Sequence, residues 1–317
     1  MLKSADLPTE MSSSSSPAVR KHSTRSTIIA YLFLLPTIIM ILVFNYYPAI
    51  VAFVYSFTDW NGFTRPSFVG IRNFTEMFTT EVFSQAYWNL LWMSLVRVAI
   101  SITIPLLVAF LIYKVKSPRL QNLYRLLFVF PLVIPMMVIL LLWQFIMNPD
   151  VGLFNAVLTA FGMPADNLPL WLGSPDTALM SLMLIGFPWV DGVAMLIFLA
   201  GFQSIPRSIV EAATMDGATG FRKLISIEIP LVLSQVKLIL ILTIIGTLQG
   251  FQTQLVLTGG GPGYSTTVPG LIMYQEAMSN NRLGFACSVG VILFILIFAL
   301  TLLNNKYLKS STEYGAD

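Results

Sequence analysis

The chain has 317 residues, 56% hydrophobic and only 10% charged, with a mean hydropathy of +0.78 and a formal net charge of +3. A soluble domain carries roughly 25% charged residues, so this composition excludes an ordinary soluble globule and points to a membrane protein. A nucleic-acid partner needs a basic face, and the sequence offers none.

Residues 1–27 are polar and serine-rich. They are too long and polar for a signal peptide, and no small-residue cleavage site follows, so a disordered cytoplasmic tail is predicted. The single histidine, His22, lies there without companion ligands, so no metal site is assigned. Six apolar stretches follow, each long enough for a helix of about 20 residues across a core of about 30 Å. They are 28–57, 88–113, 123–147, 178–201, 231–257 and 285–304. Pro36, Pro48, Pro131, Pro135 and Pro188 fall inside them. Prolines within spans are tolerated where neighbouring helices satisfy the freed carbonyls, which predicts an all-α bundle with irregular interior helices. The organisation expected is one transmembrane unit over 28–305, with its core at 88–304 and a cytoplasmic tail at 306–317. The one cysteine, Cys287, sits in the sixth stretch and reads as a small apolar side chain.

Orientation follows from the basic residues. Fourteen of the eighteen Lys and Arg fall in the N-terminal tail, the connections after the second and fourth stretches, and the C-terminal end. The alternate connections hold only Arg65, Arg72 and Arg282, and Arg97 lies within a span. The positive-inside rule therefore puts both termini in the cytoplasm. Among the outer connections, 151–177 carries Pro164, Pro169, Trp171 and Pro175 and is expected to be partly ordered. The run "GGGPG" at 259–263 lacks a lysine for phosphate binding and is expected to be a flexible turn, or a loop closing the outer mouth or meeting a delivery protein.

The cytoplasmic connection 205–230 is the least membrane-like part of the second half. Pro206 suits a first helical turn, and Ser208 and Glu211 have capping-box spacing. Gly217 can end that helix at positive φ, Thr219 can cap a second, and Pro230 closes the unit. A connector resting on lipid headgroups is one reading. Glu211 and Asp216, where a lipid-binding face would have lysine, and the paired Ala212 and Ala213 favour a protein partner instead.

The stretch "EAATMDGATGFRKLISIEIP" resembles the EAA loop of the permease subunits of binding-protein-dependent ABC importers, through Glu211, Ala212, Ala213, Asp216, Gly217, Ala218, Ile227, Ile229 and Pro230. Glu228 departs from the pattern, which usually has an uncharged residue there. "LVLTGGGPGYST" and "NYYPAIVAFVYSFTDW" resemble the carbohydrate branch, of maltose and glycerol-phosphate permease type. The resemblance covers about residues 28–305. It implies a type I importer permease fold with six transmembrane helices, in a prokaryotic plasma (inner) membrane. It also implies a cytoplasmic ATPase dimer that binds ATP and Mg, a second homologous permease subunit, and an extracytoplasmic sugar-binding protein. The chain itself then holds no cofactor. No Walker motif and no nucleophile–base arrangement is present, so it is expected to be a transport subunit rather than an enzyme. A stand-alone secondary transporter or channel is the alternative.

Candidates for a substrate path are the polar residues within spans. Arg97 and Asp191 are ionisable there, which costs roughly 2.5–3.5 kcal/mol on insertion scales. They either pair as a strut, or Asp191 lines the path beside Phe187 and Trp189. Gln249, Gln252 and Thr253 cluster in the fifth stretch, and helical spacing puts them on one face. They serve either hydrogen bonding between helices or a polar lining. Asn89 and Gln144 are further candidates.

Overall fold

The computed structural model describes residues 24–307, with side chains from Tyr31 onward. The chain divides into two units, Met1–Val51 and Ala52–Asp317. The first unit is helical: α1 (Thr24–Ile41) runs into a π-helical turn at Leu42–Tyr46, and α2 (Tyr47–Tyr55) follows. That turn has a physical cause. Pro48 has no N–H to donate, and immediately before it the backbone shifts register, so that Tyr47 N–H reaches the Leu42 carbonyl.

The second unit continues with α3 (Arg72–Thr79) and the 34-residue α4 (Glu81–Lys114). Next come α5 (Pro118–Val129), α6 (Met136–Ile146), α7 (Leu153–Ala160), α8 (Pro175–Leu184) and α9 (Gly192–Ser204). Two short helices, α10 (Arg207–Met215) and α11 (Gly220–Lys223), precede a π turn at Leu224–Glu228 and α12 (Ile229–Leu231). The unit ends with α13 (Leu233–Gln249), α14 (Gln252–Leu257), α15 (Pro269–Met278) and α16 (Leu283–Tyr307). Among the described residues the only extended pairing is a single bridge between Thr58 and Phe68.

Three of the predicted stretches are single helices long and apolar enough to cross a membrane: Tyr31–Tyr55, Glu81–Lys114 and Leu283–Tyr307. The other three are not continuous, in keeping with the irregular interior helices expected from the prolines. The third bends by 90° at Ile134–Pro135, where Pro135 supplies no N–H and holds Ile134 in an extended conformation. The fourth is interrupted between Leu184 and Gly192, around Pro188 and the cap of α9. The fifth breaks at Gly250 and Phe251, between α13 and α14. The predicted tails at 1–27 and 306–317 lie mostly outside the described residues; Thr24 already begins α1, and α16 runs to Tyr307.

α4 is the central strut of the second unit. Its N-terminal half (Phe83, Ala86, Leu90) packs with Leu248 of α13, Leu271 of α15 and Phe285 and Val289 of α16. Its C-terminal half (Ala109, Ile112) packs with Met195, Phe198 and Phe202 of α9 and Ile239 of α13. α4 and α13 therefore run antiparallel, tied midway by Thr243 Oγ1 to Ser101 Oγ at 3.0 Å. In a bilayer such contacts hold helices together through packing and hydrogen bonds, because lipid tails are as apolar as the side chains. A third cluster joins α6, α8 and α14 through Leu140, Leu182 and Leu257.

The connection 151–177 is ordered, as its composition suggests. Asn155 is buried, accepts from Trp171 Nε1 at 2.8 Å, and donates to the carbonyls of Pro149 and Pro169. The glycine run is not a flexible turn. Thr258 and Thr266 share a hydroxyl bond of 2.7 Å, and Thr267 Oγ1 donates to the Gly260 carbonyl at 2.8 Å. Gly260 stands at φ +95°, and a Cβ there would meet Thr267 Oγ1 at 2.7 Å. Gly260→Ala should therefore destabilise the protein by about 1–3 kcal/mol, measurable as a lowered midpoint of thermal unfolding in detergent.

Candidate functional site

The unit between α9 and α13 is built as two short helices joined by a turn. Pro206 takes the extended conformation (ψ 135°) that starts α10 at Arg207. This places Ser208 inside the helix, so the predicted capping box with Glu211 does not form and no side chain caps the helix. The C-terminus is more specific. Gly217 adopts φ +78°, its N–H bonds the Thr214 carbonyl at 3.1 Å, and Ala218 N–H bonds the Ala213 carbonyl at 2.9 Å. This is a Schellman turn, which satisfies carbonyls that a helix end leaves open. Lys223 then ties α11 back onto α10, donating to the Val210 carbonyl and to Thr214 Oγ1, both at 2.9 Å. Thr219 holds the cap position of α11, without a side-chain capping bond.

The unit is set at steep angles to its neighbours. α10 turns 71° from α9, and the run Gly220–Leu231 turns 69° from α13. Glu211, Ala212, Asp216, Gly217 and Pro230 are exposed, and Ala218 is half-buried. Ala213 is buried against the protein's own core, so only one of the paired alanines can meet a partner. Met215 and Phe221 protrude, 89% and 73% exposed. A Cβ at Gly217 would meet nothing within 4 Å, so the glycine is required there for its backbone conformation and not for space within the chain.

Glu228, the departure from the family pattern, is fully buried at the end of the π turn that precedes Pro230. Its Oε1 lies 2.7 Å from Lys114 Nζ at the last residue of α4. Sequence reasoning missed this pair, because its partners are 114 positions apart.

The path candidates are distributed differently from the helical-spacing argument. Asp191 is not inside a helix. It caps α9, with Oδ1 accepting from Val193 N–H at 2.8 Å and Ala194 N–H at 2.9 Å. Aspartate before a glycine-led apolar run was a legible cap signal. Arg97 is exposed and makes no ion pair or hydrogen bond among the described residues, so the Arg97–Asp191 strut is not formed. The break at Gly250–Phe251 also separates Gln249 from Gln252 and Thr253, so these three do not share one helical face. Gln249 and Gln252 are exposed, and Thr253 is half-buried. Gln144 is exposed on α6.

Asn89 has a different task. It is buried, donates to the carbonyls of Tyr264 (3.1 Å) and Thr267 (2.9 Å), and accepts from Gln85 at 2.9 Å. Its amide clamps the glycine loop to α4, and neither of its donors remains for a substrate.

Asp191→Ala should cost about 1 kcal/mol of stability, and Asp191→Asn should restore it, because Asn caps as well as Asp. Thermal unfolding of both variants checks this. The same pair separates cap from path: a raised KM for uptake in a fully stable Asn variant would mark the carboxylate as part of the path.

A helical membrane protein with interrupted spans and a steeply angled two-helix connection fits the fold that the resemblance implies, and the comparisons agree. The family described as binding-protein-dependent transport system inner membrane component matches residues 101–313. The chain belongs to this family. The multiple sugar-binding transport system permease protein MsmF of Streptococcus mutans is 34% identical, covering 87% of this chain and 94% of its own. The probable ABC transporter permease protein YurN of Bacillus subtilis is 30% identical, covering 91% and 99%. Among solved structures, the bacterial alginate ABC transporter in complex with an alginate pentasaccharide-bound periplasmic protein includes a chain of the same fold. Its TM-score is 0.77, at 23% identity over 89% of this chain and 94% of that one. The protein is therefore a multi-pass membrane transport subunit with the importer-permease fold.

Proposed function

We propose that this chain forms half of the translocation path of an ATP-driven sugar importer in a prokaryotic inner membrane, with six spans and both termini cytoplasmic. One observation carries the reading: the outward face of the 205–231 unit. Two carboxylates, an alanine, a glycine turn and two protruding apolar side chains are exposed on a unit tied together by the Schellman turn and by Lys223. Exposed Glu211 and Asp216 beside exposed Arg207 and Arg222 make the unit mixed in charge rather than basic, and such a mixed knob suits a cleft on another protein better than a headgroup layer. On this reading the cleft belongs to a dimeric ATPase, which binds ATP and Mg and does all the hydrolysis.

A second, homologous permease chain completes the path, and an extracytoplasmic binding protein delivers the sugar. The sugar class is supported by the names of relatives such as MsmF, and the delivery step by the alginate transporter's periplasmic protein. The path itself is assigned to the helix interruptions. Broken helices expose backbone polar groups, which is tolerated at membrane depth only inside protein or beside water. The interruptions hold or flank Asp191, Gln249, Gln252 and Thr253, with Gln144 on the neighbouring α6.

Purification from the native membrane in mild detergent tests this. A nucleotide-binding ATPase and a second permease chain should co-purify. A reproducible homo-oligomer without an ATPase would contradict the proposal and leave a stand-alone transporter or channel.

A further inference from the structure

A fully buried carboxylate is expensive unless it is paired and fully hydrogen-bonded. Glu228 is only half provided for. Oε1 meets Lys114 Nζ at 2.7 Å, while Oε2 is buried without a hydrogen-bond partner. Its own turn begins at Leu224, which belongs to the apolar cluster of Ile112, Phe202 and Val232. Lys114 is equally constrained. It is the last residue of α4, where a cation is favoured by the helix carbonyl end. Its ammonium also lies 4.9 Å and 5.0 Å from the ring centres of Phe110 and Tyr113, while its side chain stays 45% exposed. The pair thus bridges two elements far apart in sequence: the closing turn of the 205–231 unit and the end of the longest helix.

We propose that the Lys114–Glu228 pair is a strut that makes α4 move with the 205–231 unit, and that both are positioning residues for transport. The inference rests on the proposed function, because it needs a partner that pushes on that unit. Packing alone lets two helices slide past one another. A short ion pair to a buried carboxylate resists sliding, because any displacement leaves Glu228 buried without its partner. α4 in turn carries Asn89, which holds the glycine loop at its other end. The strut therefore connects the unit through one continuous helix to that loop.

The test uses the whole transporter, co-purified with its ATPase and reconstituted with its binding protein, and reads sugar uptake per ATP hydrolysed. Glu228→Gln keeps the shape and removes the charge. Lys114→Met removes the partner, and Lys114→Arg keeps it. Expected are an about tenfold fall in uptake per ATP for the first two and near-normal coupling for Lys114→Arg. The double variant Glu228→Gln/Lys114→Met should add little to either single one, as for residues acting as a unit. ATPase content of each purified complex is measured alongside. Unchanged uptake per ATP in Glu228→Gln would overturn the strut, as would a fall fully explained by lost ATPase. If the unaltered chain brings no ATPase, the proposed function and the strut fail together.

Discussion

Gly217→Pro should abolish ATP-driven uptake while leaving the chain inserted in the membrane. The glycine stands at φ +78°, and its N–H bonds the Thr214 carbonyl. Proline is locked near φ −65° and has no N–H, so the substitution removes both features that define the Schellman turn. The cost is about 3 kcal/mol or more, enough to unseat α11 from α10. No packing is lost directly, since the space beside Gly217 is open. The defect should therefore be confined to the 205–231 unit. Gly217→Ala should be milder, about 1 kcal/mol, because alanine tolerates positive φ at a modest cost. Uptake into vesicles, alongside insertion monitored by protease protection, checks the series. Normal uptake by the proline variant would remove the turn from any coupling role.

The second large effect belongs to Asn89→Ala. The substitution leaves the Thr267 carbonyl without its buried donor and frees the carbonyl of Tyr264. At about 1–3 kcal/mol per stranded buried group, a loss of about 3 kcal/mol is expected. The glycine loop should open locally well before the helices separate. Hydrogen exchange at the amides of Thr266 and Thr267, which bond Gly260 and Tyr264 within the loop, should accelerate about a hundredfold. Unchanged exchange there would mean that the loop's own threonine bonds suffice and that Asn89 is not its clamp.

These two sites show what was legible beforehand. The 205–230 connection could be read because its signals are local: a proline before the helix, a glycine after it, and acids amid hydrocarbon. Where the reading went astray, a second local signal competed; Pro206 took the cap position and left Ser208 inside α10. The membrane class and the three unbroken spans were legible because hydropathy is additive along the chain. The breaks were harder, since an apolar stretch keeps the same hydropathy whether or not its helix is continuous. Pro135 and the Pro188–Asp191 stretch marked two of them, and Gly250 with its surrounding amides marked the third. α15 escaped because its ten residues are too few for a span and were counted with the loop before α16. Least legible were the long-range polar pairs. Asn89 reaches partners 175 and 178 positions away, and Lys114 one that is 114 away. Nothing in a single sequence registers an amide or an ion pair across that separation.

The most direct test of the account is a crosslink from Met215, the most exposed large apolar side chain of the 205–231 unit. A photo-reactive residue at 215 is activated in native membranes, with one at Phe161, 88% exposed in the 151–177 connection, as its counterpart. The account predicts that position 215 captures a nucleotide-binding ATPase and position 161 does not. Capture of lipid alone at 215, or of the ATPase from 161, would contradict it.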